Sequence, residues 1–274
     1  MKKFLSLLFT FAILANFNFA FALSPERTQT VEYMDTMANI PWKSESNIEN
    51  DKKQYGVTYQ KGNVYYGIPY SQNFRWTDLL TFLLLMRGDS YIGRRPTGSH
   101  VFIHGSDCSS AVSMTWQQLN PSIPFLSTHY MIPTQNNEFI VKVGDYEVPN
   151  NSKTTIEVIG ANSKEKMLEA YSLLQPGDAI VTRSSKSGHV VLVKENDVEN
   201  SQVTVIEQCG VDENGILLGK DGRSSWRDSS VKSYDELYGK NYIPISTPVL
   251  IASDKNSSTD VVDVSLNSDS SLAA

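Results

Sequence analysis

Cysteine is scarce in this chain: 274 residues contain two, Cys108 and Cys209. A disulfide-rich scaffold is therefore excluded, and at most one bridge can form. In an exported chain the plain expectation is that the two pair. Basic side chains are also in deficit, 24 against 30 acidic, for a formal charge of −6. The clustered Lys and Arg that neutralise phosphates are missing, so no nucleic acid is expected as a partner. Anionic cell-wall polymers gain no electrostatic help either. Long apolar runs are absent beyond the first 22 residues, because Leu79 to Met86 spans only eight, far short of a membrane crossing.

The first residues do carry an apolar run. Lys2 and Lys3 precede Phe4 to Ala15, and the stretch ends in Ala20-Phe21-Ala22. This is the pattern of a secretory signal peptide. A single span is the alternative, but Asn16 and Asn18 interrupt the run and small residues occupy both cleavage positions. The mature chain is expected to begin near Leu23 with no Cys for a lipid tether, so a secreted or cell-envelope product without a stable membrane anchor is expected. Without Lys2 and Lys3, the 24 basic side chains fall to 22 against 30 acidic ones, formally −8.

Residues 23–64 read as an N-terminal extension, a helix anchored around Tyr33 to Met37 followed by irregular chain. Leu79 to Met86, preceded by the capping pair Thr77-Asp78, reads as a buried helix. From Gly105-Ser106-Asp107-Cys108 onward, Ala111, Val112, Thr115, Trp116 and Leu119 recur at helical spacing until Pro121. Phe139 to Val143 and Thr155 to Ile159 look strand-like, and Lys164 to Leu174 looks helical. The turn Gln175-Pro176-Gly177-Asp178 then leads into three β-rich runs, Ala179 to Thr182, His189 to Val193 and Val203 to Gln208. The expected fold class is α+β, a helix followed by an antiparallel meander, with Tyr242 to Ile251 as a final strand. The domain at 65–252 is followed by a Ser- and Asp-rich tail, 253–274, with the composition of disorder.

A thiol attacks a carbonyl as thiolate, so a nucleophilic Cys needs a helix N-terminus or a neighbouring cation. Cys108 has the first, with Asp107 placed to cap the helix whose free N–H groups would stabilise negative charge. A quiet core Cys is the bland alternative. The base must come from elsewhere, and His189 opens an apolar strand after Gly188. On the neighbouring strand Glu207 could accept the imidazole N–H and fix its tautomer; it could equally be a solvated strand-end carboxylate. Trp226 and Arg227 could line a groove or simply cover a sheet edge. Zinc at His100, His104 and Cys108 would need a helix that Val101 to Ile103 and Gly105 spoil, so no metal is expected; His104 could instead sit near the cleft as a specificity residue.

Asp107-Cys108-Ser109-Ser110, Leu174-Gln175-Pro176-Gly177-Asp178 and Gly188-His189-Val190 resemble, in order and spacing, three signatures of the NlpC (p-sixty) family of cell-wall cysteine peptidases. The resemblance covers roughly Gly67 to Glu207. It implies a reduced papain-like fold, with a nucleophile-bearing helix packed on a small antiparallel sheet, and cleavage of peptide bonds in peptidoglycan. It casts Cys108 as nucleophile, His189 as base, Glu207 as orienting residue, and Tyr70 of Gly67-Ile68-Pro69-Tyr70 as a group polarising the substrate carbonyl. Thirty-seven residues lie between Tyr70 and Cys108, so the Leu79 to Arg95 segment reads as an insertion that reshapes the cleft. No cofactor is needed, the partner is a peptidoglycan peptide, and a monomer is expected. An amidase or acyltransferase using the same Cys and His remains open. So does a noncatalytic wall-binding protein in which a Cys108–Cys209 disulfide consumes the nucleophile.

Overall fold

A computed structural model of the chain describes residues 23–49, 58–91, 94–97, 100–134, 137–212 and 216–255. Residues 1–22, read above as a signal peptide, and the residues beyond 255 lie outside the described residues. Among those described, no helix is long and apolar enough to cross a membrane.

The fold is α+β, as expected. Helix α1, Pro25–Asn39, is capped by Ser24 with Pro at its first position, where a missing N–H costs nothing. Short strands follow: β1 Pro41–Ser44, β2 Ile48–Glu49, β3 Thr58–Tyr59 and β4 Val64–Tyr66. Beyond them come α2 Leu79–Leu84, β5 Met86–Arg87, β6 Ser90–Tyr91, β7 Arg94–Thr97 and β8 His100–Ile103. The second half contains α3 Cys108–Gln117, β9 Val141–Lys142, α4 Thr155–Gly160, α5 Lys164–Ser172, β10 Ala179–Arg183, β11 Gly188–Asp197, β12 Gln202–Gln208, β13 Trp226–Ser233, α6 Tyr234–Gly239 and β14 Ile243–Ser246.

Six strands make the main antiparallel sheet, in the order β13-β12-β11-β10-β14-β9. Its centre is covered on both faces, since the four consecutive residues Val190 to Val193 are all fully buried and neighbours on a strand point to opposite sides. Helix α3 packs against β11 and β12, and α1 against α3 and the same strands. The segment read as an N-terminal extension thus belongs to the core: Met34, Met37 and Ala38 of α1 are fully buried in the cluster that holds Val112, Trp116 and Leu192. A smaller sheet, β4-β1-β6-β5, carries an aromatic cluster in which Trp42 contacts Tyr59, Tyr65, Phe82 and Tyr91.

Other expectations also need correction. Thr155 to Ile159 is helix, because Thr154 and Glu157 form a reciprocal capping box that outweighs the β-branched composition. Helix α2 forms but is not buried: Phe82 enters the aromatic cluster while Leu80 and Leu84 are 66% and 75% exposed, since a helix this short turns only one side inward. After β14 the chain turns helical again at 248–255 rather than extending the strand to Ile251. There Ser253 bonds to Ser24 and Asp254 to Arg27, so residues 253–255 are anchored. Phe139 to Val143 contributes only the two-residue β9.

The Gln175-Pro176-Gly177-Asp178 turn is where these layers meet. Asp178 accepts from the Gln175 N–H at 2.8 Å, the Ser246 hydroxyl at 2.6 Å and Arg27 Nη1 at 3.0 Å, while the Trp116 indole donates to the Gly177 carbonyl at 3.0 Å. Arg27 and Asp178 are each 1% exposed. Burial outweighs the Arg27 charge and hydrogen bonds, holding the Asp178 carboxyl above its usual range. Removing one partner of a buried pair strands the other. Arg27→Ala should cost about 3–5 kcal/mol in urea unfolding at neutral pH, with a smaller loss as the pH falls and Asp178 protonates; a loss below about 1 kcal/mol at neutral pH would show that the pair does not anchor α1.

Candidate active site

Helix α3 begins at the nucleophile candidate. Asp107 accepts from the Ser110 N–H at 2.7 Å, and the Ser110 hydroxyl accepts from the Asp107 N–H at 2.9 Å, a closed capping box. Cys108 therefore occupies the first helical position, where the N–H groups have no intrahelical acceptor and the dipole favours negative charge. Every residue from Cys108 to Trp116 is buried. Its polar members are satisfied locally, Ser113 and Thr115 donating to the Ser109 and Ala111 carbonyls at 2.8 Å.

The approach to the helix is built on close backbone contact. Ser106 donates its N–H to Pro69 and accepts from Ser71, and a Cβ at Gly105 would sit 1.9 Å from the Pro69 carbonyl oxygen. Only glycine fits there. Gln208 fastens this segment to the sheet, accepting from the Ser106 hydroxyl at 2.7 Å and donating to the Ile68 carbonyl at 3.0 Å. On the outside, Arg75 pairs with Asp107 at 3.1 Å.

His189 reaches this helix end from β11. It lies opposite Thr182 of β10, and its side chain is 27% exposed. The register Leu192↔Ile206, continued by one residue, sets Glu207 across from Val191, on the same face as His189. The two side chains meet, Nε2 to Oε2, at 2.9 Å. With Nε2 engaged there, the rest of the ring comes within reach of the Cys108 side chain, whose charge and hydrogen bonding act on it. Burial disfavours the imidazolium, but the charge and hydrogen bond of Cys108, followed by those of Glu207, outweigh it and raise His189 to about 10.

Glu207 is 3% exposed and gathers cations: Lys232 at 3.3 Å and Arg227 at 3.5 Å both approach Oε1. Burial alone would raise its carboxyl. The His189 hydrogen bond, the charges of Lys232 and His189 and a hydrogen bond from Ser230 instead lower it to about 2. The solvated reading of Glu207 is therefore set aside. Of the residues singled out in the sequence, Cys108, His189 and Glu207 are brought together. Tyr70 lies beside Ser106 in a parallel bridge, its hydroxyl accepts from the Gln72 amide at 2.6 Å, and its ring packs on Gly210.

Cys108 and Cys209 are both free thiols, which corrects the plain expectation of a disulfide. Cys209 turns toward the Ser225 carbonyl at 3.5 Å, and burial pushes its thiol up to about 12, with Arg227 opposing and Glu207 adding to the rise. Trp226 is buried, its indole donating to the Ile68 carbonyl, whereas Arg227 belongs to the site through Glu207. His104 stacks on Phe74 at 4.6 Å, in chain that is strand and turn rather than helix. Among the described residues no cluster of three or more His, Cys, Asp or Glu could hold a metal. Lys232 carries no signal in the sequence: the β12–β13 register pairs it with Val203 and sets Arg227 across from Glu207, and only its long side chain reaches the carboxylate.

No family model, curated protein or solved structure matches this chain. What the site can do therefore follows from its own geometry: a sulfur, a hydrogen-bonded imidazole and a carboxylate held ionised, in the order that proton abstraction requires.

The linked titrations set a pH window. Glu207, lowered from 4.5, contributes stability that is complete above that value and lost as the pH falls toward 2. His189, raised from 6.5, contributes stability that is complete below that value and lost as the pH rises through about 10. In proton NMR of the His189 ring, the wild type should titrate near 10 and Cys108→Ala at least one pH unit lower; an unchanged midpoint in the variant would refute the sulfur–imidazole contact.

Proposed function

We propose that the protein is an exported cysteine hydrolase of papain-like type that cleaves peptide bonds in bacterial peptidoglycan. The observation that supports it most is the unbroken chain from Cys108 at a helix N-terminus, through His189, to a buried, ionised Glu207. The three-signature resemblance to NlpC-type peptidases and the leader pattern narrow the substrate from amides in general to wall peptides.

In this reading His189, raised to about 10, already holds a proton at neutral pH, and the Cys108 sulfur beside it adds as thiolate to the scissile carbonyl carbon. The carbonyl oxygen, now negative, faces the helix end, where the N–H of Cys108 can receive it. Collapse breaks the C–N bond, and the amine departs with the proton held by His189. Water then attacks the thioester, His189 accepting its proton, and the carboxylate leaves as the thiol re-forms. Glu207 does not take the proton; it holds the imidazole in place and balances its positive charge. A cavity of about 720 Å³ lined in part by Leu126, His129, Asn151 and Lys153 shares its loop with Thr128, which abuts Gly188, and gives room for the remote part of a substrate.

The same centre serves an amidase or an acyltransferase, in which another nucleophile replaces water at the thioester. A noncatalytic wall-binding role is disfavoured by the free thiols. Purified peptidoglycan incubated with the mature chain should yield new peptide termini by mass analysis, at a rate at least ~10³-fold lower for Cys108→Ala. Equal fragment release by both proteins would reject the peptidase reading.

A further inference from the structure

Tyr242 stands where α6 gives way to β14, and its backbone is pinned. Its N–H reaches back to the Leu237 carbonyl at 2.9 Å and the Asn241 N–H to that of Tyr238 at 3.0 Å, with Asn241 at φ 56°. This is the left-handed stop of a Schellman motif. Thr182 donates its hydroxyl to the Lys240 carbonyl at 2.9 Å, and Tyr171 donates to the Tyr242 carbonyl at 2.6 Å.

The sheet register then sets the direction of the ring. Val181 faces Ile243, so one residue further Tyr242 faces Thr182, which itself faces His189. Directly opposed residues of antiparallel strands share a face. Tyr242 is thus on the His189 side of the sheet, two strands away, with the short Thr182 between them.

Its hydroxyl is unusual for this neighbourhood. Tyr146, Tyr171 and Tyr234 hand theirs to the Pro244 carbonyl, the Tyr242 carbonyl and the Asn196 side chain. Tyr242 is 6% exposed, yet its hydroxyl bonds to no other described residue, and it is not among the sealed polar atoms that lack a partner. The oxygen therefore keeps a path to solvent while the ring is buried. Burial, followed by Glu207 and then by Cys108 and Glu236, raises the phenol above its ordinary range, and the hydroxyl keeps its proton at every working pH.

We propose that Tyr242 is a catalytic residue of the Cys108 centre, donating a hydrogen bond to the substrate carbonyl oxygen as that oxygen becomes negative. The proton stays on the phenol and no bond to it breaks. Tyr242 complements the helix-end N–H groups and takes the role that the family resemblance assigns to Tyr70. A rigid, buried donor to developing charge is worth most when its geometry is fixed in advance, and the Schellman turn together with the Tyr171 and Thr182 hydrogen bonds fixes the backbone that carries the ring. The inference rests on the hydrolase reading above.

Two reagents separate the possibilities in the mature chain. Iodoacetamide alkylates a sulfur at a saturated carbon, so no oxyanion forms. p-Nitrophenyl acetate acylates it through a tetrahedral oxyanion and releases p-nitrophenolate. Tyr242→Phe keeps the ring; its Cys108 should be alkylated within about 2-fold of the wild-type rate, whereas acylation should fall ~10²-fold. Unchanged acylation would overturn the proposal. A parallel fall in both reactions would also overturn it, because Tyr242 would then act on the sulfur or the fold. Failure of the wild-type Cys108 to be acylated, located by peptide mapping, would sink the hydrolase reading itself and Tyr242's role with it.

Discussion

Glu207 is a carboxylate with almost no access to water, and its ionised state is the constraint on which the site depends. Burial of such a group is costly unless cations and hydrogen bonds replace the lost solvent. Here His189, Lys232, Arg227 and Ser230 do so together. The result is a fixed negative charge behind the imidazole, which commits Nε2 to the carboxylate. Lys232 is itself only 11% exposed, so the cation behind the carboxylate is also shielded from salt screening.

A second constraint brings the sulfur to that imidazole. Helix α3 starts where the Pro69–Ser106 backbone contact, the missing Cβ of Gly105 and the Gln208 amide tie the chain preceding it to the end of β12. The other end of α3 is tied to the Gly177 carbonyl through Trp116, and the adjoining Asp178 binds α1 and β14. Rigid elements, not loops, therefore carry Cys108, His189 and Glu207. Arg75 on Asp107 and Arg227 on Glu207 sit at the solvent edge, where they adjust the field rather than hold the fold.

Cys108, His189 and Glu207 were legible in the sequence because each lies next to a local signal: a capping residue before an apolar helix, a Gly before an apolar strand, a carboxylate at the end of the strand that must pair with it. The meander was legible for the same reason. Thr155 to Ile159 was misread because β-branched residues speak for strand while a capping box four residues long speaks for helix, and the box won. Leu79 to Met86 was misread as buried because composition shows how apolar a helix is but not how much of it the partner surface can cover; the core buries Phe82 fully and Leu79, Leu85 and Met86 only in part. Lys232 and Tyr242 could not be found locally. Lys232 reaches Glu207 only through its long side chain, and strand order and register carry Tyr242 to the His189 side of the sheet.

His189 and Glu207 set Cys108 apart from the other thiol of the same chain. Competitive labelling of the folded protein with trace isotope-coded iodoacetamide at neutral pH, followed by peptide mapping, measures both thiols in one sample. The account predicts that Cys108 is labelled ~10²-fold or more faster than Cys209 and that His189→Ala removes most of that advantage. Equal labelling of the two cysteines in the wild type, or an advantage that survives His189→Ala intact, would contradict it.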